Sequence, residues 1–162
     1  MTNRRKFLLG GTAVVVAGGA AALTLGGNTA EAQDYPISLT EEEWRARLTA
    51  EEFDVLRNEA TEPAFSSPLN EEKRDGTFVC AGCENEVYRS ETKFMSGTGW
   101  PSFTDNIDGA VGTKTDYKLV LPRTEVHCAR CGGHLGHIFD DGPEPTGKRH
   151  CLNGIALDFI AA

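Results

Sequence analysis

Five cysteines divide the chemistry available to this sequence into two kinds. Four of them form two C-x-x-C pairs, Cys80/Cys83 and Cys128/Cys131, while Cys151 stands alone in the run Lys148-Arg149-His150-Cys151-Leu152-Asn153. Thiolates at C-x-x-C spacing can both point inward from one tight turn, and two such knuckles supply the four sulfurs of a tetrahedral structural zinc site. A closed four-thiolate shell leaves no open position for chemistry, so Zn2+ there would clamp two distant hairpins together. Disulfide pairing is the competing reading in an oxidising compartment. A redox C-x-x-C fits poorly, because neither pair opens a strand-to-helix junction. Haem attachment requires His after the second cysteine, where Glu84 and Gly132 stand, and the zinc-deaminase pattern lacks its H-x-E.

The lone thiol has reactive surroundings. On a strand, Arg149, Cys151 and Asn153 share one face, so a guanidinium flanks the sulfur on one side and an amide on the other. The cation favours a thiolate and the amide can hold a polar substrate atom; an inert buried thiol is the bland alternative. His134 and His137 follow Cys131 closely, but four thiolates leave them unnecessary as ligands. Bracketed by Gly132, Gly133 and Gly136, they are candidates to line a pocket, against the commoner role of strand histidines facing solvent or a hydrogen-bonded core. In Phe94-Met95-Ser96-Gly97-Thr98-Gly99-Trp100-Pro101-Ser102-Phe103, the Trp-Pro pair makes a rigid platform that can offer an indole face to an apolar group such as a methyl on sulfur. An aromatic loop of this kind can also be plain core.

Positioning these residues falls to a mainly β chain behind two short helices. Thr40 with Glu43 and Thr49 with Glu52 read as capping boxes, and Trp44, Leu48, Phe53, Leu56 and Ala60 recur at helical spacing as core-facing positions. The segment from Glu62 to Pro68 breaks helicity. Beyond Gly76, short β-branched or aromatic runs predict strands at Thr77–Val79, Tyr117–Leu121, Thr124–His127, His137–Phe139 and Ile155–Phe159. Turn signals between them, with no helical pattern, argue for antiparallel sheets.

Residues 1–32 carry a targeting pattern. Arg4-Arg5-Lys6 precedes an apolar, glycine-rich stretch to Leu25 and an A-x-A site at Ala30-Glu31-Ala32, which predicts a twin-arginine export signal cleaved after Ala32, with an uncleaved anchor as the alternative. Residues 33–162 then form one domain, exported to the periplasm or beyond. The full chain has a formal net charge of −8; loss of three cations and one anion with the leader leaves −10. With no basic block in the remainder, counterion release has no source and nucleic acid is excluded as a partner.

Taken together, Cys80/Cys83, Ser96 to Phe103, the run Cys128 to Pro143, Arg149-His150-Cys151-Leu152-Asn153, Thr61-Glu62-Pro63 and Lys73-Arg74-Asp75-Gly76 resemble the B-type peptide methionine sulfoxide reductases over nearly all of residues 33–162. The resemblance implies two antiparallel β-sheets clamped by zinc on Cys80, Cys83, Cys128 and Cys131. It implies that Cys151 is the catalytic cysteine, that Trp100 receives the substrate methyl with Phe103 and Ser96 nearby, and that His134, His137, Asn153 and Arg149 surround the sulfoxide oxygen and attacking sulfur. The implied activity is reduction of methionine-R-sulfoxide in oxidised proteins or peptides through a sulfenic acid on Cys151, a repair of oxidative damage; a monomer is the expected state. A non-catalytic zinc-scaffold binding module is the alternative. Two departures matter. Thr98 stands where many relatives carry a resolving cysteine, so regeneration falls to a thioredoxin-like protein or a low-molecular-weight thiol. Gly154 replaces the serine common after the asparagine, which removes one expected hydroxyl.

Overall fold

A computed structural model describes residues 34–162; the export signal expected over residues 1–32 lies outside the described residues. Both helices begin at the threonines whose spacing announces them. α1 (Glu41–Arg47) is capped by Thr40 and α2 (Ala50–Asn58) by Thr49. Each hydroxyl accepts the N–H three residues on, at 3.3 and 3.2 Å, and each partner carboxylate accepts the cap N–H at 2.8 and 2.7 Å. These bonds satisfy N–H groups that a helix start otherwise leaves free. α2 ends on Glu59 in the left-handed conformation, at φ 55°. Trp44, Leu48, Phe53, Val55 and Leu56 are buried, while Arg57 and Arg45 lie over the Trp44 and Phe53 rings at 4.8 and 3.9 Å, covering the outer side of this apolar face.

Among the described residues, nine strands make two antiparallel sheets. The smaller has the order β2 (Glu86–Arg89), β1 (Gly76–Cys80), β9 (Leu157–Ala161). The larger runs β3 (Lys93–Phe94), β4 (Ser102–Phe103), β8 (Arg149–Leu152), β7 (His134–Phe139), β6 (Arg123–Cys128), β5 (Val111–Asp116). Phe78 and Tyr88 from the small sheet meet Phe103 from the large one, with ring centroids 4.9 and 4.6 Å apart, so the sheets share one aromatic core. α2 packs on β7 and on the 3-10 turn Gly154–Ala156, which places it against the strand beside β8 and the turn that follows it.

One strand expected from composition does not form. Tyr117–Leu121 has β-branched and apolar residues, yet the strand is the preceding Val111–Asp116 and residues 117–122 are the exposed tip of the β5–β6 hairpin. Asp116 turns the chain by accepting the Lys118 N–H at 2.7 Å, and Pro122, with no N–H of its own, cannot extend the ladder. A second irregularity bears on the site. His127 pairs with His134 and Val126 with Gly136, so Leu135 is an extra residue on β7. This bulge shifts the alternation by one position and brings the His134 and His137 rings to 5.4 Å despite their odd spacing.

Candidate active site and sulfur cluster

The two C-x-x-C turns are built alike. Each first cysteine ends a strand, β1 or β6, and the residue after each second cysteine is left-handed, Glu84 at φ 59° and Gly132 at φ 68°. That conformation folds the Glu84 N–H back onto the Cys80 carbonyl at 2.7 Å and the Gly132 N–H onto that of Cys128 at 2.8 Å. All four cysteines are buried, and their sulfurs lie within 4.8 Å of one another. Cys80 Sγ is 3.8 Å from Cys131 Sγ and Cys83 Sγ is 3.5 Å from Cys128 Sγ. A metal bound tetrahedrally at about 2.3 Å from each sulfur sets sulfur–sulfur edges of about 3.8 Å, so the donor set fits one ion. The same separations are far beyond a disulfide bond of about 2.05 Å, and all four thiols are free. Hydrogen bonding with its neighbours pushes the Cys80 thiol up while the same neighbours hold Cys128 down.

Cys151 sits on β8 between two neighbours, pairing with Ser102 on β4 and His137 on β7. It forms part of a cleft of about 140 Å³ with Thr61, Trp100, Arg123, His137 and Asn153. The close approach of β7 to β8 depends on Gly136, where a Cβ would lie 2.1 Å from the Cys151 carbonyl oxygen. Strand alternation explains which neighbours reach the cleft. His150, one step along, turns to the core and bonds the Tyr88 hydroxyl at 2.9 Å. Phe103 is likewise fully buried, packed on Phe78 and Tyr88, and does not reach the cleft.

The cleft residues are held from behind. Trp100 Nε1 donates to the Glu62 carbonyl at 3.1 Å, and the Glu62 N–H donates to Asn153 Oδ1 at 3.1 Å. The Asn153 amide also donates to the Leu135 carbonyl at 3.2 Å, so both ends of that side chain are engaged. The buried Glu62 carboxylate accepts the Gly154 and Ile155 N–H groups at 2.6 and 3.1 Å. One residue thus fixes the indole, the amide and the turn that follows β8. Burial nevertheless pushes the Glu62 carboxyl up, against those two bonds.

His137 and His134 each lean on a carboxylate. His137 Nε2 lies 2.8 Å from Asp116 Oδ2, and the same carboxylate pairs with Arg123 at 2.5 Å. The Lys118 N–H, His137 and Arg123 hold Asp116 well below the usual carboxylate range, while burial lowers His137. His134 does not line the cleft: it is buried behind His137 with Nδ1 2.8 Å from Glu125 Oε1. Arg149 lies on the face of Cys151, but its fork is engaged by Asp141 in two bonds of 2.9 Å and its plane lies over Phe139 at 4.5 Å. Burial pushes the Cys151 thiol above its ordinary value; the Arg149 charge pulls it down without prevailing, and Asp141 opposes that pull. Burial thus outweighs the flanking cation at this thiol, a different balance from the stabilised thiolate that the flanking residues suggest.

Thr98 Oγ1 stands 4.0 Å from Cys151 Sγ and is bonded to Ser96, which in turn bonds Ser102 at 2.7 Å. Ser96 so supports the loop and the thiol's hydroxyl neighbour, and does not border the cleft itself. The hydroxyl expected at position 154 is replaced from elsewhere: a Cβ on Gly154 would lie 1.9 Å from Ser67 Oγ, so Ser67 fills that volume. Asp116 and Arg123 are residues that the sequence does not single out, and Glu62 stands there only within the run Thr61-Glu62-Pro63, with no role attached. Asp116 and Arg123 are a register pair across a hairpin, and no motif spacing marks either of them.

The SelR domain family model matches residues 48–161. Peptide methionine sulfoxide reductase MsrB of Methanosarcina barkeri is 50% identical over 124 residues, covering 76% of this chain and 87% of that protein. The protein of the same name from Leptospira interrogans is 44% identical over 127 residues, 78% of this chain and 97% of its own, and that from Bradyrhizobium diazoefficiens 48% over 125 residues, 76% and 90%.

Proposed function

Because the chain belongs to the SelR-domain family of peptide methionine sulfoxide reductases, we propose that it reduces methionine-R-sulfoxide in oxidised proteins and peptides through a sulfenic acid on Cys151. The observation that carries this reading is the half-buried thiol at a small cleft between an indole and a carboxylate-bound imidazole. The Trp100 face accepts the S-methyl group, and the oxygen points to His137. Cys151 attacks the sulfoxide sulfur and forms an S–S bond as the protonated oxygen leaves that sulfur with the S–O electron pair; the oxygen then returns to Cys151 as S–OH, and the S–S bond breaks with its electron pair left on the methionine sulfur. Methionine is reduced and the cysteine oxidised by two electrons, with the thiol proton ending on the oxygen. With Nε2 taken by Asp116, Nδ1 of His137 is the ring nitrogen left to carry that proton. Asn153 and Arg149 frame the reacting sulfur, and His134 backs His137.

Regeneration requires two external thiols, or one dithiol: the first displaces water from the sulfenic acid and the second releases Cys151 from the mixed disulfide. Thr98 offers no sulfur, and the other four cysteines are buried in their cluster, which supports a thioredoxin-like or small-thiol donor. Cys80, Cys83, Cys128 and Cys131 would hold Zn2+, which when bound supplies structural closure between the sheets. The leader over residues 1–32 supports twin-arginine export, with repair of oxidised proteins outside the cytoplasm. Single-turnover reaction with a methionine-R-sulfoxide peptide, followed by intact mass, tests the proposal. Methionine product with a one-oxygen gain on Cys151 is expected. Absence of both leaves the non-catalytic zinc scaffold as the better reading.

A further inference from the structure

We propose that the tip of the β5–β6 hairpin is a docking element for the apolar polypeptide that flanks a methionine sulfoxide in an unfolded substrate protein; the inference rests on the reductase reading above. Tyr117, Leu119, Val120 and Leu121 are 77, 60, 101 and 75% exposed, a run of large apolar side chains that folding leaves in water. Monomeric proteins seldom leave such a cluster uncovered without a use for it.

The hairpin is continuous with the cleft. Arg123, at the first position of β6, lines it, and Asp116, at the last position of β5, holds His137. The neck is fixed by the Asp116–Arg123 pair and by Lys118 Nζ on Glu59, whose carboxylate also takes Lys114. A firm base thus carries a bare tip. The cleft, at about 140 Å³, has room for a side chain and not for a chain, so the residues either side of a protein-bound sulfoxide must lie over its rim. On the Trp100 side that rim is apolar as well: exposed Phe65 and Met95 border a second groove that also includes Trp100. Of seven large apolar residues exposed in the described region, six therefore fall in these two patches, and only Ile160 lies elsewhere.

The surrounding charges select the occupant. A membrane-binding tip places free Lys or Arg beside its apolar residues, whereas Lys114, Lys118 and Arg123 are all committed to carboxylates. A stable second copy needs about 800 Å² on each partner, far more than a six-residue tip presents. An extended apolar peptide needs neither, and segments exposed by unfolding have this character.

The test compares full-length wild type with the combined variant Leu119→Ser, Val120→Ser, Leu121→Ser, using three substrates: N-acetyl-methionine-R-sulfoxide amide, a peptide with the sulfoxide between leucine and valine residues, and the same peptide with serine and glycine flanks. The variant should lose at least tenfold in kcat/KM on the apolar peptide, mostly through KM, and stay within twofold of wild type on the other two. An equal effect on all three substrates, or no effect on the apolar peptide, overturns the docking role. Val120→Ser alone, at a side chain with no burial to lose, should shift the same KM in the same direction and guards against misfolding of the triple variant. Sedimentation of wild type with zwitterionic or anionic vesicles, or a dimer that the substitutions abolish, would assign the tip to another partner and overturn the proposal. Failure of wild type on the small amide would instead count against the reductase reading itself.

Discussion

At the scale of single residues, the environment of Cys151 sets a pH dependence with a definite sign. Burial raises the thiol, so the thiolate fraction is small at neutrality and grows through the alkaline range. Alkylation of Cys151 by iodoacetamide should therefore accelerate as pH rises above 7, without a plateau below the ordinary thiol range. Removing the opposing cation with Arg149→Ala should raise the thiol further and slow alkylation at pH 7.5 by several-fold. An unchanged rate would show that Asp141 already cancels the guanidinium. Glu62 gives a second expectation. Glu62→Gln leaves an amide NH2 facing one of two buried backbone N–H groups, at about 1–3 kcal/mol. Denaturant midpoints should fall accordingly, and activity should fall further because Trp100 and Asn153 share the same backbone segment.

At the scale of elements, the parts legible in the sequence are those whose cause is local. The capping boxes at Thr40 and Thr49 predict both helix starts because the bonds they form lie within three residues. Arg149 and Cys151 share a face because alternation is a property of any strand. β3 and β4, two residues each, have no such signature, since only pairing across the sheet defines them. The same holds for the Leu135 bulge, without which His134 and His137 would point to opposite faces, and for Tyr117–Leu121, where strand-forming composition loses to the turn at Asp116. Ser67 and Gly154 are the sharpest case, because the fit between them is invisible at a separation of 87 positions. Gly154→Ser should cost about 1–3 kcal/mol by overpacking, and adding Ser67→Gly should restore much of it in a double-mutant cycle. Opening the sulfur cluster should cost more. Cys131→Ser is expected to lower stability by several kcal/mol and to abolish the metal content while leaving the Cys151 thiol titratable.

Across the whole molecule, acid should weaken the fold through the site itself. His137 is lowered by burial, so the unfolded chain binds its proton first, and stability falls as pH drops through the ordinary imidazole value near 6.5 toward the lower folded one. Asp116, whose carboxyl is held low, adds a loss that begins below the ordinary carboxylate range. Urea midpoints should decline from pH 7.5 to 5.5, and His137→Gln should flatten that first part of the curve. The enclosure of Cys80, Cys83, Cys128 and Cys131 has a consequence of another kind. No second sulfur inside the protein is free to discharge Cys151, so in the proposed reaction each molecule holds at most one oxygen atom until a reductant arrives. Where thiols are scarce, a population of this protein would act as a sponge of fixed capacity, removing sulfoxide in proportion to its own abundance and then falling silent.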